Sequence, residues 1–329
     1  MPFHAAPFPD RLPSMTSTPI SDPSAVADRD QLTRFLIAGA GVRGVRVHLD
    51  EAWQQIRSRA AGSSHAAPPA AAVELLGEAV AAAALFTGHA KIEGRLSIQL
   101  RGHGALRTLF AECTAAGTLR GIAQLAEDGE AREVSRDLRT LGADAVLAIT
   151  IENPAAGGRE PMRYQGMVAL ESDSLAGAFE DYFRQSEQLP TRLLLAADGE
   201  RAAGLMLQKL PGDEGDEDGW ARAGALFDTL RPLELLDWTG DTMLTRLFHE
   251  DGVQLLGTKP LRFACSCSRG RVEAMLVSLG HEEARAAVAD GEAAVRCEFC
   301  GENYRFSGDE IETLLAVARS ELAAPDRLQ

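Results

Sequence analysis

The 329-residue chain is 45% hydrophobic and 25% charged, which is enough apolar material for a globular core and excludes global disorder. Its formal net charge of -15 and pI near 5.0 give a surface that on average repels phosphate backbones, so nucleic acid is not an expected partner. No stretch approaches the roughly 20 uninterrupted apolar residues of a membrane span, and no basic region followed by an apolar core opens the chain; a cytoplasmic protein with no membrane partner is expected.

Residues 1–28, rich in Pro, Ser, Ala and Asp and without periodicity, read as a disordered leader, with Met15 as an alternative initiator. Residues 39–44, GAGVRG, match the dinucleotide fingerprint G-x-G-x-x-G. That motif has to open a helix, whereas VRVHLD follows here as a strand pattern, with no acidic residue about 20 positions on in a second strand. The glycines are read instead as serving a turn between strands. Val45, Val47 and Leu49 alternate with polar residues, as do Leu96, Ile98 and Leu100, and then Leu147, Ile149 and Ile151, the period of half-buried strands.

Between the first two sets, AAVELLGEAVAAAALF places Val73, Leu76, Val80 and Ala84 on one helical stripe, and its alanines predict close packing on a neighbouring element. Cys113, in the strand-like LRTLFAECT, has no base motif beside it and reads as a small core side chain. A further helix is predicted to begin at Asp173 or Ser174, to carry Leu175, Phe179, Tyr182 and Phe183 on one face, and to stop at Pro190. A hairpin turning at Asp198-Gly199 follows.

The acids of PGDEGDEDG, Asp213 to Asp218, mark a solvated connector and a domain boundary. Beyond it, 221–236 and 241–249 read as two short helices, with Gly240 and Gly252 as breaks and too little apolar surface for a core of their own; they have to dock on something. The expected organisation is a leader at 1–28, an N-terminal domain at 29–211, the connector and helical linker at 212–262, and a C-terminal module at 263–329. That module ends in a helix whose start, Ser307-Gly-Asp-Glu310, fits a capping box.

Four of the five cysteines form two close pairs, Cys265-x-Cys267 and Cys297-x-x-Cys300, separated by residues 268–296. In a reducing compartment, clustered thiols are metal ligands or redox groups rather than a static disulfide framework. Two close pairs suit tetrahedral Zn2+, each supplying two ligands from one short turn, and a module below ~70 to 80 residues needs such a staple. The C-x-C side departs from the usual C-x2-4-C. In extended backbone its Cα atoms lie about 6.6 Å apart, near the upper limit for a disulfide, and strained disulfides are the reversible ones. The pair thus reads as a redox switch as well as a ligand pair.

His281-Glu282-Glu283 with Cys297-x-x-Cys300 faintly echoes the zinc-deaminase pattern, but Arg296 stands where that pattern has proline. His281 is read as a helix-start residue after Gly280, with a Cys3His site as the alternative. No G-x-S-x-G, phosphate loop or H-E-x-x-H occurs, and no enzyme is expected.

With both cysteine pairs identified, the chain resembles the Hsp33 family of redox-regulated holdase chaperones from about Asp30 to the C-terminus. ELLGEAVAAAALF, GRLSIQLRGHG, RYQGMVAL, YFRQSEQLPT and LFHEDGVQLLGTKPLRFACSC carry the resemblance beyond the cysteines. It implies an α+β protein: a mixed α/β N-terminal domain, a helical linker and a small C-terminal zinc-binding redox-switch domain. It implies an ATP-independent chaperone of unfolding client proteins, inactive when reduced and zinc-bound, and active once peroxide or hypochlorous acid oxidises the cysteines. Carried onto this chain, the resemblance makes Cys265, Cys267, Cys297 and Cys300 the ligands, with disulfides joining Cys265 to Cys267 and Cys297 to Cys300. A reduced monomer and an oxidised homodimer follow from the same source.

Loss of the metal would melt the linker and expose Leu226, Phe227, Leu230, Leu233 and Leu247. The alternatives are a constitutive zinc-stabilised interaction module, which would be unchanged by oxidation, and a zinc- or dinucleotide-dependent enzyme, which would show turnover or saturable cofactor binding.

Overall fold

The computed structural model describes residues 29–60, 68–90, 92–126, 133–142, 144–155, 160–212, 216–289 and 291–323. The leader expected at 1–28 and residues 213–215 of the acidic connector lie outside the described residues. The chain divides into two compact units, Met1–Ala264 and Cys265–Gln329, so the segment that the sequence sets apart as connector and linker lies within the first.

Two sheets build the first unit. One is antiparallel, made of β1 (Gln31–Ile37), β2 (Val42–Leu49), β8 (Thr191–Ala197), β9 (Ala202–Lys209) and β10 (Val253–Pro260) in the order β10-β1-β2-β9-β8. The other contains β3 (Arg95–Arg101), β4 (Leu106–Thr114), β5 (Thr118–Leu125), β6 (Val146–Asn153), β7 (Met162–Val168) and the two-residue β11 (Arg262–Phe263), in the order β11-β5-β4-β3-β6-β7. Only β11 runs parallel to its neighbour in that sheet, pairing Arg262 with Thr118 and Phe263 with Leu119. Leu96, Ile98 and Leu100 point inward from β3, while across the outer face Arg120 pairs with Glu112 at 2.8 Å, the apolar-in, polar-out alternation the sequence predicts.

A short α1 (Glu51–Ala60) precedes α2 (Ala70–His89), which lies between the sheets. Its side chains share one core with Val45, Val47 and Met206 from the first sheet and with Ile98, Leu109 and Ile149 from the second. The single stripe predicted from sequence is an underestimate: every residue from Leu75 to Thr87 is buried. A helix covered on opposite sides has no solvent face. Residues 79–84, alanine except for Val80, are all at 0% exposure, and their short side chains let both sheets approach the helix axis. In length and composition α2 would suit a membrane span, and its place in the core accounts for that composition.

Helix α3 (Leu175–Tyr182) starts at the Ser174 cap, whose hydroxyl accepts from the Gly177 N–H at 3.3 Å. The sequence predicts that it runs to Pro190. Instead a π turn, Phe183–Glu187, takes over, and Gln188 in the left-handed region (φ 57°) ends it. The β8–β9 hairpin turns at Asp198 as expected, its carboxylate accepting from the N–H groups of Glu200 and Arg201, each at 2.7 Å. GAGVRG supplies the β1–β2 turn, with Gly41 at φ 61° and its N–H bonded to the Ala38 carbonyl at 3.3 Å.

The linker forms three helices, not two: α4 (Gly219–Phe227), α5 (Pro232–Asp237) and α6 (Gly240–Phe248). Pro232 interrupts the predicted first helix by opening a new one, where its missing N–H is no loss, and Glu234 accepts from the Arg231 N–H at 2.9 Å. Gly240 begins α6 behind the Thr239 cap rather than breaking the chain. The docking surface is the outer face of the first sheet, where Phe227, Leu235, Met243 and Phe248 pack on Phe35, Ile37, Leu205 and Leu207. This cover corrects the half-buried reading of β2, in which every residue but Arg43 is buried. Phe227, Leu230 and Leu247 are covered and Leu226 partly so, whereas Leu233 is already 69% exposed.

The second unit contains α7 (Arg269–Leu279), α8 (His281–Ala286), the hairpin of β12 (Glu292–Arg296) and β13 (Asn303–Ser307), and α9 (Gly308–Ala323). Its core is small: Val272, Leu276, Ala284, Ala293, Phe306, Ile311 and Leu315. The capping box of α9 is reciprocal, with the Ser307 N–H donating to Glu310 at 2.8 Å and the Glu310 N–H to Ser307 at 3.2 Å.

The close approach of α2 to the first sheet depends on Gly204, where an added Cβ would lie 2.6 Å from Leu85 Cδ1 and 3.1 Å from Leu195 Cδ2. Gly204→Val should destabilise the protein by about 1–3 kcal/mol, as overpacking does, and lower the urea midpoint at unchanged slope. Gly104→Ala, with nothing within 4 Å of the new methyl, is the control that should leave the midpoint nearly in place.

Candidate metal centre

Cys265 and Cys267 lie in the irregular turn segment between β11 and α7, directly before Ser268, whose hydroxyl caps α7 by accepting from the Arg271 N–H at 3.3 Å. Cys297 and Cys300 occupy the turn of the β12–β13 hairpin. There the Cys297 N–H donates to the Glu302 carbonyl and the Gly301 N–H to the Cys297 carbonyl, each at 2.8 Å. Gly301 takes φ 75°, a conformation that L side chains rarely adopt, and lets the chain fold back beneath the two sulfurs.

These two turns bring all four sequence-predicted thiols together, with their sulfurs within 4.8 Å of one another. The closest recorded approaches run between the pairs, Cys265 to Cys297 at 3.6 Å and Cys267 to Cys300 at 3.3 Å. Tetrahedral thiolate coordination at ~2.3 Å per bond places sulfurs about 3.8 Å apart, so the cluster has the size and donor type to hold a metal ion. All five cysteines are free thiols.

Burial pushes the Cys300 thiol up. At Cys267 burial acts in the same sense but is outweighed by hydrogen bonds, first that from Tyr304, and the thiol comes down. The Tyr304 hydroxyl donates to Cys267 Sγ at 3.2 Å. Sequence reasoning missed this residue, although RCEFCGENY contains it: Tyr304 reaches the sulfurs only because β13 returns past the turn it leaves.

His281 does not join the cluster. It starts α8 as expected, and its Nε2 lies 3.9 Å from the Glu312 carboxylate, so no Cys3His site forms among the described residues. Cys113 sits in β4 at 1% exposure, the core residue the sequence suggests, and burial pushes its thiol up to about 12.

A family model described as Hsp33 protein matches residues 30–307, a span that contains both cysteine pairs. The chain belongs to the Hsp33 family. Among its curated relatives, the 33 kDa chaperonin of Ectopseudomonas mendocina is 42% identical over 89% of this chain and 98% of its own length. That of Pseudomonas putida is 40% identical over 92% and 99%. The crystal structure of the 33 kDa chaperonin (Hsp33 homologue) from Thermotoga maritima superposes with a TM-score of 0.70 at 22% identity, covering 88% of this chain and 99% of that one, which speaks to the fold. The α+β architecture of this Hsp33-family chain is therefore that of a solved relative.

A thiol with a pKa raised to about 12 is neutral and enclosed at pH 8. In the reduced, chelator-treated native protein, a disulfide reagent should titrate the four clustered cysteines rapidly and Cys113 only after denaturant is added. Rapid reaction of Cys113 in the native state would contradict its placement.

Proposed function

We propose that this Hsp33-type chaperone is a redox-regulated, ATP-independent holdase, switched by Cys265, Cys267, Cys297 and Cys300 around one Zn2+. The observation that carries this reading is the convergence of four free thiols from two separate turns in a unit with a very small core. Zinc, when bound, would hold the sulfurs as thiolates and tie the two turns together, contributing on the order of 10 to 16 kcal/mol. That is comparable to the ~5 to 15 kcal/mol that keeps a whole domain folded.

The thiolates remain oxidisable. In each pair, two thiolates give two electrons to peroxide and join as one S–S bond, while the peroxide leaves as two hydroxide ions. With the family-type pairing, Cys265 to Cys267 and Cys297 to Cys300, the metal donors are consumed and nothing bridges the two turns. Closed loops of three or four residues stabilise by only about 1.5 to 2 kcal/mol, so the local bridges do not replace the lost tie.

The chain itself supplies the route to the linker. Cys265 directly follows Ala264, whose N–H donates to the Leu119 carbonyl at 3.1 Å, and β11 and β10 lie immediately upstream. Loosening at Cys265 reaches these strands and then α4 to α6. Their departure uncovers Phe227, Leu230 and Leu247 on the linker and Phe35, Ile37 and Leu207 on the sheet, two apolar faces that partly unfolded clients can occupy. No hydrolysis is involved, in keeping with a sequence that lacks a phosphate loop. The protein acts in the reducing cytoplasm, as a monomer when reduced and as a homodimer when oxidised.

Purified reduced protein should contain about one zinc per chain, a stoichiometry that follows from its single tetrathiolate cluster. Peroxide at raised temperature should release that zinc and convert the protein into a suppressor of client aggregation followed by light scattering. Equal suppression by reduced and oxidised protein would overturn the redox switch and leave a constitutive interaction module.

A further inference from the structure

The linker cover begins and ends on one feature, the β1–β2 turn formed by GAGVRG. At its start, the Asp216 N–H donates to the Gly39 carbonyl at 3.0 Å, and Gly219 lies so close to Ala40 that an added Cβ would be 2.5 Å from its Cα. At its end, the Gly39 N–H donates to the Asp251 carbonyl at 2.9 Å and the Ala38 N–H to that of Gly252 at 3.1 Å. One side chain joins the two ends. Arg222, in the first turns of α4, donates through Nε to Asp251 Oδ1 and Oδ2 at 3.0 and 3.3 Å, and through a terminal nitrogen to Asp216 Oδ2 at 2.8 Å.

We infer that Arg222 is the clasp that sets how readily the linker helices leave the sheet, a positioning residue for activation that rests on the holdase reading above. The two carboxylates are unequal. Asp216 is 55% exposed, and its pair with Arg222 is worth little, as exposed pairs are. The Asp251 side chain is only 5% exposed, and removing Arg222 strands its charge in the protein, a loss that is strongly destabilising at buried sites. Because both ends of the cover meet at this point, opening the clasp releases α4 to α6 as one unit, without separate melting of each helix.

The test uses reduced, zinc-loaded, full-length protein and hydrogen exchange by mass spectrometry. In Arg222→Met, peptides spanning 219–251 should exchange faster by about tenfold to a hundredfold, the scale of losing hydrogen bonds to a charged group. Peptides from β3, β4 and β6 should hold their wild-type rates. Adding Asp251→Asn removes the stranded charge and should return most of the protection, and Arg222→Lys, a single point charge, should fall between.

The same reduced Arg222→Met protein should suppress client aggregation without oxidant, and the double variant should not. Unchanged exchange in 219–251, acceleration spread equally over both sheets, or no recovery in the double variant would each overturn the clasp. Should Arg222→Met not fold, Arg222→Lys carries the same comparison against its own Asp251→Asn double. Failure of the redox reading shows separately, as equal activity of reduced and oxidised wild-type protein whatever the exchange result.

Discussion

The first sheet is apolar on both faces, and the fold of the first unit depends on covering the second of them. Phe35, Ile37, Val42, Leu205 and Leu207 project away from α2 and are buried only because α4 to α6 lie over them. At about 25 cal/mol per Å2 of apolar surface, several large side chains left in water would cost a sizeable part of a domain's stability. The linker is therefore structural, and removing it would carry a cost, which is the condition the proposed regulated cover would have to meet. A cover that docked through polar contacts would leave nothing for a client to bind.

The second unit has the opposite economy. Among the described residues its core of seven buried side chains includes three alanine or valine positions and one aromatic, and the regular elements are short apart from α7 and α9. What that core does not supply has to come from the cysteine cluster, where the β12–β13 turn meets the segment before α7. Arg269 adds a local brace, its guanidinium 4.2 Å above the Phe306 ring and its Nη1 donating to the Arg305 carbonyl at 2.9 Å. Such contacts orient the segment that carries Cys265 and Cys267 without replacing a covalent or metal tie.

How much of this was legible in sequence follows from burial. Strand β3 shows period 2 because one face meets the core and the other is only partly covered, whereas in β6 Ala148 and Thr150 are buried along with the alternating apolar residues. In β2 the same alternation misleads: Arg46 and His48 look like solvent-facing residues, yet Arg46 is 1% exposed and donates to the Trp238 carbonyl at 2.9 Å, under the linker cover. Nothing local in VRVHLD announces that cover. Strand β10 went unread because it is an edge strand with an irregular register opposite Arg34 and Phe35, where Gly257 sits. The π turn after Tyr182 is likewise invisible to a 3.6-residue period. The convergence of the four cysteines was legible because two close pairs stand out in the spacing, whereas Tyr304 joins them only through hairpin register.

The geometry of the cluster also bears on why a switch of this kind would be directional. The close sulfur approaches, Cys265 to Cys297 and Cys267 to Cys300, cross between two turns that are far apart in sequence. A metal shared by all four thiols uses that crossing. The family-type disulfides run along the chain instead, so under the proposed pairing oxidation exchanges every long-range tie for a local one. The entropy gained by the opened chain then opposes return to the crossed arrangement until the thiols are reduced again. Four cysteines pairing across the turns would lock the unit closed, and the same residues pairing along the chain would release it; under the proposed switch, which partner each sulfur takes would determine the sign of the response.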